Sequence, residues 1–372
     1  MPFTPVQTFV GGLLMHIASV GLLSGTGRVM GASGIVDGAV LGDHAKWRWA
    51  FLAGIVVAPV VVAAVGLESI MPGNGLEPFA AAPVARLALS GALIGVGAKL
   101  GTGCTSGHFL CGSSRLSPRS LVAVVTFMLS AIATAKLVPA DYLVDTIPAY
   151  KPVYPSASEA AALGGLAVAA LIARQTVNAI LPKACQPSAD TANGTSSTEN
   201  GDGQVSASEC NYSLAQLVPY LLSGLTFSLG LIASGMVSPL KVMGFLRVPP
   251  PLDTWDPSLL MVVAGAVIPN MIHWFKLQKS SRGSPKPLFS WEKWQVPTRR
   301  DITPRLVIGA LIFGVGWGLG GVCPGPAIVT AGKLAVDAAR GEDVSRAATG
   351  WASYFVNMVL GFAAARLVEK AL

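Results

Sequence analysis

The chain has 372 residues, of which 52% are hydrophobic and only 12% are charged. Because soluble domains carry about 25% charged residues, this composition excludes a soluble globular domain and predicts an all-α polytopic membrane protein. The formal net charge of +7 lies mostly in one loop, so it reports membrane topology rather than binding of nucleic acid. Forty-two glycines and 26 prolines exceed the needs of plain spanning helices and predict broken or re-entrant helices.

The first half of the chain contains five predicted spans and one shorter, broken segment. The spans cover residues 6–23, 47–66, 84–100, 120–138 and 159–180, each apolar over about the length that crosses a bilayer. Residues 24–42 are rich in glycine, and this stretch is too short and too polar to cross. We therefore expect it to be a re-entrant piece that is buried in protein.

A polar linker divides the chain into two parts. Residues 181–211 are acidic and low in complexity, so we expect this segment to be disordered. The predicted domains are a first membrane repeat with a linking span at 1–180, the linker at 181–211, and a second membrane repeat at 212–372.

The second half repeats the plan of the first and brings the total to about nine spans. Its spans cover residues 214–233, 258–275, 306–320 and 347–367, with a broken piece at 234–245 and a short helix at 324–339. The loop 276–305 carries eight Lys or Arg against two acids, which predicts a cytoplasmic position. Counting spans from this loop puts the N-terminus outside, the linker and C-terminus in the cytoplasm, and the two repeats in inverted orientations. We expect a multi-pass protein of the plasma membrane.

Two copies of one motif carry the candidate chemistry. Residues 91–112 read GALIGVGAKLGTGCTSGHFLCG, and residues 309–326 read GALIFGVGWGLGGVCPGP. With one residue inserted at Phe313, the glycines of the two copies fall in register and Cys104 aligns with Cys323. Glycine repeats are common in membrane helices, but a cysteine at the same place in both copies is a specific signal. The motifs therefore predict two thiols at a shared central site.

The residues beside these cysteines favour a small anion. Cys323 is followed by Pro-Gly-Pro at 324–326, which presets a first helical turn whose amides and positive dipole end would face the site. Thr-Ser-Gly at 105–107 can act in the same way after Cys104, with hydroxyls as extra donors. The motifs contain no acidic residue, which argues against a cation. The five cysteines have irregular spacing and give no zinc pattern, so no metal or cofactor is expected.

At this point the chain resembles a known family. GTGCTSGHFLCGSSRLSPRSLVAVVTFM and GLGGVCPGPAIV are similar to the two signatures of the YeeE/YedE-type sulphur transport family, whose characterised members take up thiosulfate. The resemblance covers both halves outside the linker. It implies an hourglass-shaped fold of inverted repeats, with path cysteines whose thiols hydrogen-bond thiosulfate in sequence. Cys104 and Cys323 match the signature cysteines, and Cys111 falls within the first signature. The family also uses a cysteine in its first re-entrant segment, where residues 24–42 have none, so Ser24 or Thr26 is the expected substitute.

The predicted function is uptake of thiosulfate or a related small inorganic sulphur anion, without an enzymatic reaction. We expect the thiols on the path to stay protonated, because thiolates would repel a dianion. Partners are the anion, the lipid bilayer and, as a candidate, a cytoplasmic protein that accepts the sulfur; nucleic acid is not expected. The candidate binding and translocation residues are Cys104, Cys323, Cys111, Thr105, Ser106, Gly103, Gly107, Gly325, Lys99 and His108.

Two other functions stay open at this point. A membrane sulfurtransferase would carry sulfur as a cysteine persulfide, which needs an activated thiolate near a base or cation such as His108 or Lys99. A channel for another small anion would use the same helix ends. Individual residues also have simpler interpretations: Cys111 can pack as a small apolar group, His108 can cap a helix, and Lys99 can extend to the membrane interface.

Overall fold

The computed structural model describes residues 3–68, 76–138, 151–184, 213–248, 255–281 and 285–371. Within these ranges the regular structure is helical, apart from one isolated bridge between Phe3 and Pro152. This confirms the predicted all-α class. Most of the predicted linker falls outside the described residues, and so does most of the loop that joins the fourth and fifth spans.

The helices follow the predicted order. In the first half they are α1 (Pro5–Thr26), α2 (Ala32–Leu41), α3 (Lys46–Ala64), α4 (Glu77–Ala81), α5 (Val84–Leu100), a π-helix (Thr105–Gly112), α6 (Pro118–Leu137) and α7 (Ala157–Ala184). In the second half they are α8 (Leu214–Ala233), α9 (Pro239–Leu246), α10 (Leu260–Val262), α11 (Ile268–Ser280), α12 (Pro304–Gly320), α13 (Pro324–Ala339) and α14 (Ser345–Ala371). A π-helical turn, Val263–Val267, joins α10 to α11.

Eight helical segments of the described chain are long and apolar enough to cross a membrane, and nine are if α5 and the bent π-helix count as one span. This agrees with the prediction of about nine spans. The segment 304–339 includes α12 and α13 with the second cysteine between them. The fifth predicted span is longer than expected, because α7 continues to Ala184 into the stretch assigned to the linker.

Corresponding helices of the two halves run antiparallel. In the pair α1 and α8, Gly11 lies against Gly230 and Ser234, whereas Gly21, later in α1, lies against Ser223. The helices α5 and α12 are antiparallel too. Residue 90 of α5 contacts residue 320, and residue 101, just after α5, contacts residue 309 near the start of α12. Opposite chain directions in corresponding helices are the geometry that inverted repeats require.

The repeated glycines of the two cysteine motifs have equivalent packing. A Cβ on Gly95 would lie 2.1 Å from the carbonyl oxygen of Met358 in α14, and a Cβ on Gly314 would lie 2.3 Å from that of Phe127 in α6. Gly97 of α5 lies in the same way against Phe313 of α12. Such backbone contact is possible only without a side chain, so the register of the glycines follows from helix packing.

Both cysteines follow a break in which the chain turns through a left-handed residue. Thr102 has φ 57° and Gly321 has φ 67°, and both stand two positions before their cysteine. Threonine rarely adopts this conformation, and here its hydroxyl accepts a hydrogen bond of 3.0 Å from Arg119 Nη2. The π-helix and α13 then begin directly after Cys104 and Cys323, which are the N-cap residues.

A first prediction concerns the glycine contacts between helices. Gly95→Ala should destabilise the protein by about 1–3 kcal/mol, because the new methyl group meets a backbone carbonyl that cannot move alone. Thermal unfolding of the purified protein would show this as a lower Tm. Gly164→Ala in α7 is the matched control, since its Cβ meets nothing within 4 Å. Equal Tm values for the two variants would contradict the packing described for α5 and α14.

A second prediction concerns the break before Cys323. Gly321→Ala should cost about 1–2 kcal/mol for the left-handed backbone, plus a clash with the carbonyl oxygen of Pro239, 2.8 Å from the new Cβ. Gly341→Ala is the control for the backbone cost alone, because Gly341 has φ 82° and open space around it. The Tm should therefore fall further for Gly321→Ala than for Gly341→Ala. The reverse order would show that the break does not pack against α9 as described.

Candidate functional site

The structure brings Cys104 and Cys323 to the same small cavity, the thiol cavity. Its volume, measured as the space open to the centre of a water molecule, is about 40 Å³. Both thiols are almost completely buried, with 1% and 3% exposure. The wall is formed by Met15, Cys104, Thr105, Ser106, Phe109, Leu110, Phe227, Leu231, Met236, Val262, Cys323, Gly325 and Pro326. Among these lining residues there is no carboxylate, amine, guanidinium or imidazole.

Each sulfur of the thiol cavity lies within hydrogen-bond distance of a hydroxyl group. The Thr105 hydroxyl donates to Cys323 Sγ at 3.5 Å, which links the first motif directly to the second. Ser106 Oγ lies 3.2 Å from Cys104 Sγ and accepts a hydrogen bond of 2.9 Å from the Ala32 amide. A serine oxygen that accepts from an amide keeps its own O–H free to donate to the sulfur. Each S–H is then free to donate to a molecule in the cavity.

The helix ends contribute fewer amides than the sequence suggests. Pro324 and Pro326 have no N–H, and the Ala327 amide bonds to the Cys323 carbonyl at 3.0 Å. Within its first three residues α13 therefore offers only the amide of Gly325. The π-helix has amides at all three of its first positions, and the first amides of a helix have no carbonyl partner within it. Donors from the first motif therefore outnumber those from the second.

A much larger water-accessible cavity, the vestibule, lies next to the thiol cavity and has a volume of about 460 Å³. Ser106 lines the thiol cavity, and its neighbour Gly107 lines the vestibule. Gly107 faces Gly31, so that a Cβ on either would lie 3.8–3.9 Å from the Cα of the other. We call this close approach of the two glycines the glycine contact.

The charged wall of the vestibule is mostly basic. Its charged side chains are Arg48, Lys99, Arg115, Arg119 and Arg299 against Asp37 and Glu369. The loop before α12 forms part of this wall, since Arg119 donates to the Asp301 carbonyl at 2.9 Å and Arg115 to that of Pro297 at 3.5 Å. A hydrogen bond from Arg299 lowers the pKa of Asp301, so this carboxylate stays charged and pairs with Arg119. Basic side chains around a wide opening raise the local concentration of anions.

Four of the predicted site residues lie at the vestibule and do not line the thiol cavity: Lys99, Gly103, Gly107 and His108. Lys99 Nζ lies 2.9 Å from Asp37 Oδ2 and 3.8 Å from Glu369, so it is part of an ion-pair network. Both ring nitrogens of His108 have partners, the Ser120 hydroxyl at 3.1 Å and the Gly101 carbonyl at 2.9 Å. His108 therefore stabilises the break in the chain before Cys104 through these two hydrogen bonds.

Cys111 occupies a third, separate pocket. This pocket, about 20 Å³ in volume, is also lined by Met30, Arg115 and Asn270. The Cys111 side chain is 8% exposed, and its carbonyl accepts a hydrogen bond of 3.1 Å from Arg115. The structure therefore does not bring Cys111 into the thiol cavity with the other two cysteines.

The two hydroxyls expected to replace a missing cysteine already have partners. Ser24 Oγ lies 2.9 Å from His273 Nε2, and the Thr26 hydroxyl donates to the Leu22 carbonyl at 2.7 Å. Thr26 is completely buried within its helix turn. These contacts are structural, so neither residue fits the substitute that the sequence suggested.

Sequence reasoning missed the apolar wall of the thiol cavity. Met15, Phe227 and Met236 lie far from both motifs in the chain, and only helix packing places them around the sulfurs. It also missed Asp37, which binds Lys99 and, at 2.8 Å, Arg366. The only available signal was an acidic residue inside an otherwise apolar helix, a placement that usually has a paired cation.

Comparison with known proteins gives a consistent picture. A family described as "Sulphur transport" matches residues 2–133, and a family of unknown function matches residues 215–343. The two matches fall on the two halves of the chain and leave the segment between them uncovered.

Relatives named "Probable transporter" occur in Xylella fastidiosa. One from strain Temecula1 is 36% identical over 126 residues, which cover 34% of this chain and 89% of the relative. Another from that strain is 39% identical over 122 residues, 32% of this chain and 76% of the relative. A relative from strain 9a5c is 41% identical over 113 residues, 30% of this chain and 70% of the relative. Each relative therefore aligns with about a third of this chain over most of its own length.

These matches agree with the apolar helices of the described chain. Together they identify a multi-pass membrane transporter, and the chain belongs to the YeeE/YedE-type sulphur transport family.

Proposed function

We propose that this transporter takes up thiosulfate through a central path on which Cys104 and Cys323 bind the anion. The observation that carries the proposal is the thiol cavity itself, in which both sulfurs lie with hydroxyls behind them and no charged group beside them. Transporters of inverted-repeat type bind substrate where the repeats meet, and this cavity lies between the two motifs.

The chemistry of the cavity suits a soft dianion. Moving thiosulfate into an apolar region without partners would be prohibitive, so each donor on the path offsets part of its lost hydration. Neutral thiols are weak donors, which lets the anion leave as readily as it arrives, as passage through several sites requires. The thioethers of Met15 and Met236 complete a polarisable wall for the terminal sulfur. Thiols that stay protonated are part of the proposal, because two thiolates would repel the substrate.

The sulfurtransferase alternative is less well supported. A persulfide carrier needs a thiolate activated by a base or a cation in contact with it. The residues proposed for that role, His108 and Lys99, instead bind Gly101, Ser120 and Asp37 at the vestibule. The proposed function is therefore transport without a covalent step, and no cofactor takes part.

The charge distribution suggests how the protein sits in the plasma membrane. The vestibule includes Pro297 and Arg299 of the basic loop, so we place it on the cytoplasmic side. Glu369, near the C-terminus, lines the same cavity. The N-terminal end of α1 does not line it, and there the amide of the N-cap residue Thr4 donates to Ser258 Oγ. The N-terminus is then outside and the C-terminus inside, with residues 1–180 and 212–372 forming the two repeats and the connecting linker in the cytoplasm. A cytoplasmic sulfur-accepting protein would meet the substrate at the vestibule.

A third prediction tests the two thiols. Cys104→Ala and Cys323→Ala should each lower thiosulfate uptake into proteoliposomes by about 10–150-fold, the value of a hydrogen bond to a charged group of about 1.5–3 kcal/mol. Growth on thiosulfate as sole sulfur source should be lost in the same two variants. Cys185→Ala and Cys210→Ala, outside both motifs, are the controls and should keep full uptake.

The competing functions give different results in the same preparation. Excess sulfate or chloride should compete weakly with thiosulfate if the thiols select the substrate, and equal competition would favour a general anion channel. Mass spectrometry of Cys104 after turnover should find an unmodified thiol, whereas a persulfide that forms during turnover would favour the sulfurtransferase. Full uptake by both cysteine variants would contradict the proposal.

A further inference from the structure

The first turn of α2 has hydrogen-bond donors that no group in the described part of the chain accepts from. The helix begins after Gly31, which is extended at φ −161° and makes no side-chain cap. Its first intrahelical hydrogen bond runs from Ile35 to the Gly31 carbonyl at 3.0 Å, and the Ala32 amide binds Ser106 Oγ. The amides of Ser33 and Gly34 come before that first bond, so they have no carbonyl partner within the helix.

The side chain of Ser33 points to a ligand independently of these amides. Ser33 is 2% exposed, and its hydroxyl has no hydrogen-bond partner within the described part of the chain. The residue belongs to the wall of the vestibule, close to Gly31 at the glycine contact. A buried hydroxyl without a partner costs free energy, and such a group in a native protein calls for a ligand or a water molecule.

The surroundings of this turn favour negative charge. Arg48 donates to the Gly34 carbonyl at 3.0 Å, and its guanidinium, which also pairs with Asp43 at 2.6 Å, lies against the first turn of α2. Asp37, the carboxylate of the same helix, already binds both Lys99 and Arg366. The positive end of the α2 dipole therefore adds to the basic wall of the vestibule.

We propose that the first turn of α2 is a second anion-binding site, on the vestibule wall beside the glycine contact. The Ser33 hydroxyl and the amides of Ser33 and Gly34 bind oxygens of a tetrahedral sulphur oxyanion before or after it passes the thiol cavity. The role of this site in transport rests on the proposed function. Binding of an anion to the site can nevertheless be measured without transport.

The chemistry of the site gives it a different selectivity from the thiol cavity. Its donors contact only oxygens, and sulfate and thiosulfate share the tetrahedral oxyanion group. The site should therefore bind the two anions with affinities within about threefold, whereas the thiols favour the terminal sulfur of thiosulfate. A weak second site that does not discriminate serves conduction, because the anion must leave the selective site without being trapped.

The test measures binding in a protein that cannot use its thiol cavity. In the double variant Cys104→Ala/Cys323→Ala, reconstituted in lipid nanodiscs, titration calorimetry should still detect sodium thiosulfate and sodium sulfate with similar affinity. Adding Ser33→Ala should weaken both by about tenfold, the loss of one hydrogen bond to a charged group. The same change in the otherwise native protein should raise the KM for thiosulfate uptake.

Two controls separate binding from folding. Ser33→Ala should not lower the Tm, because its hydroxyl has no hydrogen-bond partner to lose among the described residues. Ser130→Ala, whose hydroxyl donates to the Thr126 carbonyl at 3.1 Å within α6, should leave anion binding unchanged. If neither anion binds to the double variant, or if Ser33→Ala leaves their affinity unchanged, the second site is wrong. If the wild type fails to take up thiosulfate while binding still depends on Ser33, the site stands and the proposed function fails.

Discussion

The fold depends on the close backbone contact between the antiparallel helices α5 and α12. Gly97 and Gly316 let each helix pack against the backbone and Cβ atoms of the other, and Gly101 meets Gly309 at one end of the contact. In a membrane the hydrophobic effect contributes little to helix association. Close van der Waals contact of this kind must therefore provide much of the attraction between the helices. A break and a cysteine follow each helix, and the hydrogen bond from the Thr105 hydroxyl to Cys323 Sγ then joins the two motifs at the thiol cavity. The thiol cavity is thus a consequence of how the two halves pack.

In the proposed function the vestibule collects the anion and the thiol cavity selects it. The vestibule is wide and mostly basic, and its carboxylates are already paired with cations. The thiol cavity is small, and none of the residues that line it is charged as long as its two thiols stay protonated. Strong charges beside the narrowest part of a path would hold a dianion too tightly to release it. Weak donors there and strong charges outside give a path on which binding and release are both possible.

The sequence predicted the spans well, because hydropathy and length constrain a helix that crosses a membrane. It also predicted that Cys104 and Cys323 line one cavity. The two cysteines occupy the same position in the two copies of the motif, and equivalent positions of two repeats lie symmetrically about the place where the repeats meet. It did not predict contacts between distant parts of the chain. The pairing of Lys99 with Asp37 and of Ser24 with His273 joins residues at least 62 positions apart, which no local pattern reports. The left-handed backbone of Thr102 was equally hidden, because threonine gives no signal for it.

The most direct measurement is a cryo-electron microscopy map of the protein with thiosulfate in nanodiscs. We expect density for the anion in the thiol cavity, within hydrogen-bond distance of both Cys104 Sγ and Cys323 Sγ. A map in which the two sulfurs face lipid, or in which thiosulfate binds away from both, would contradict it.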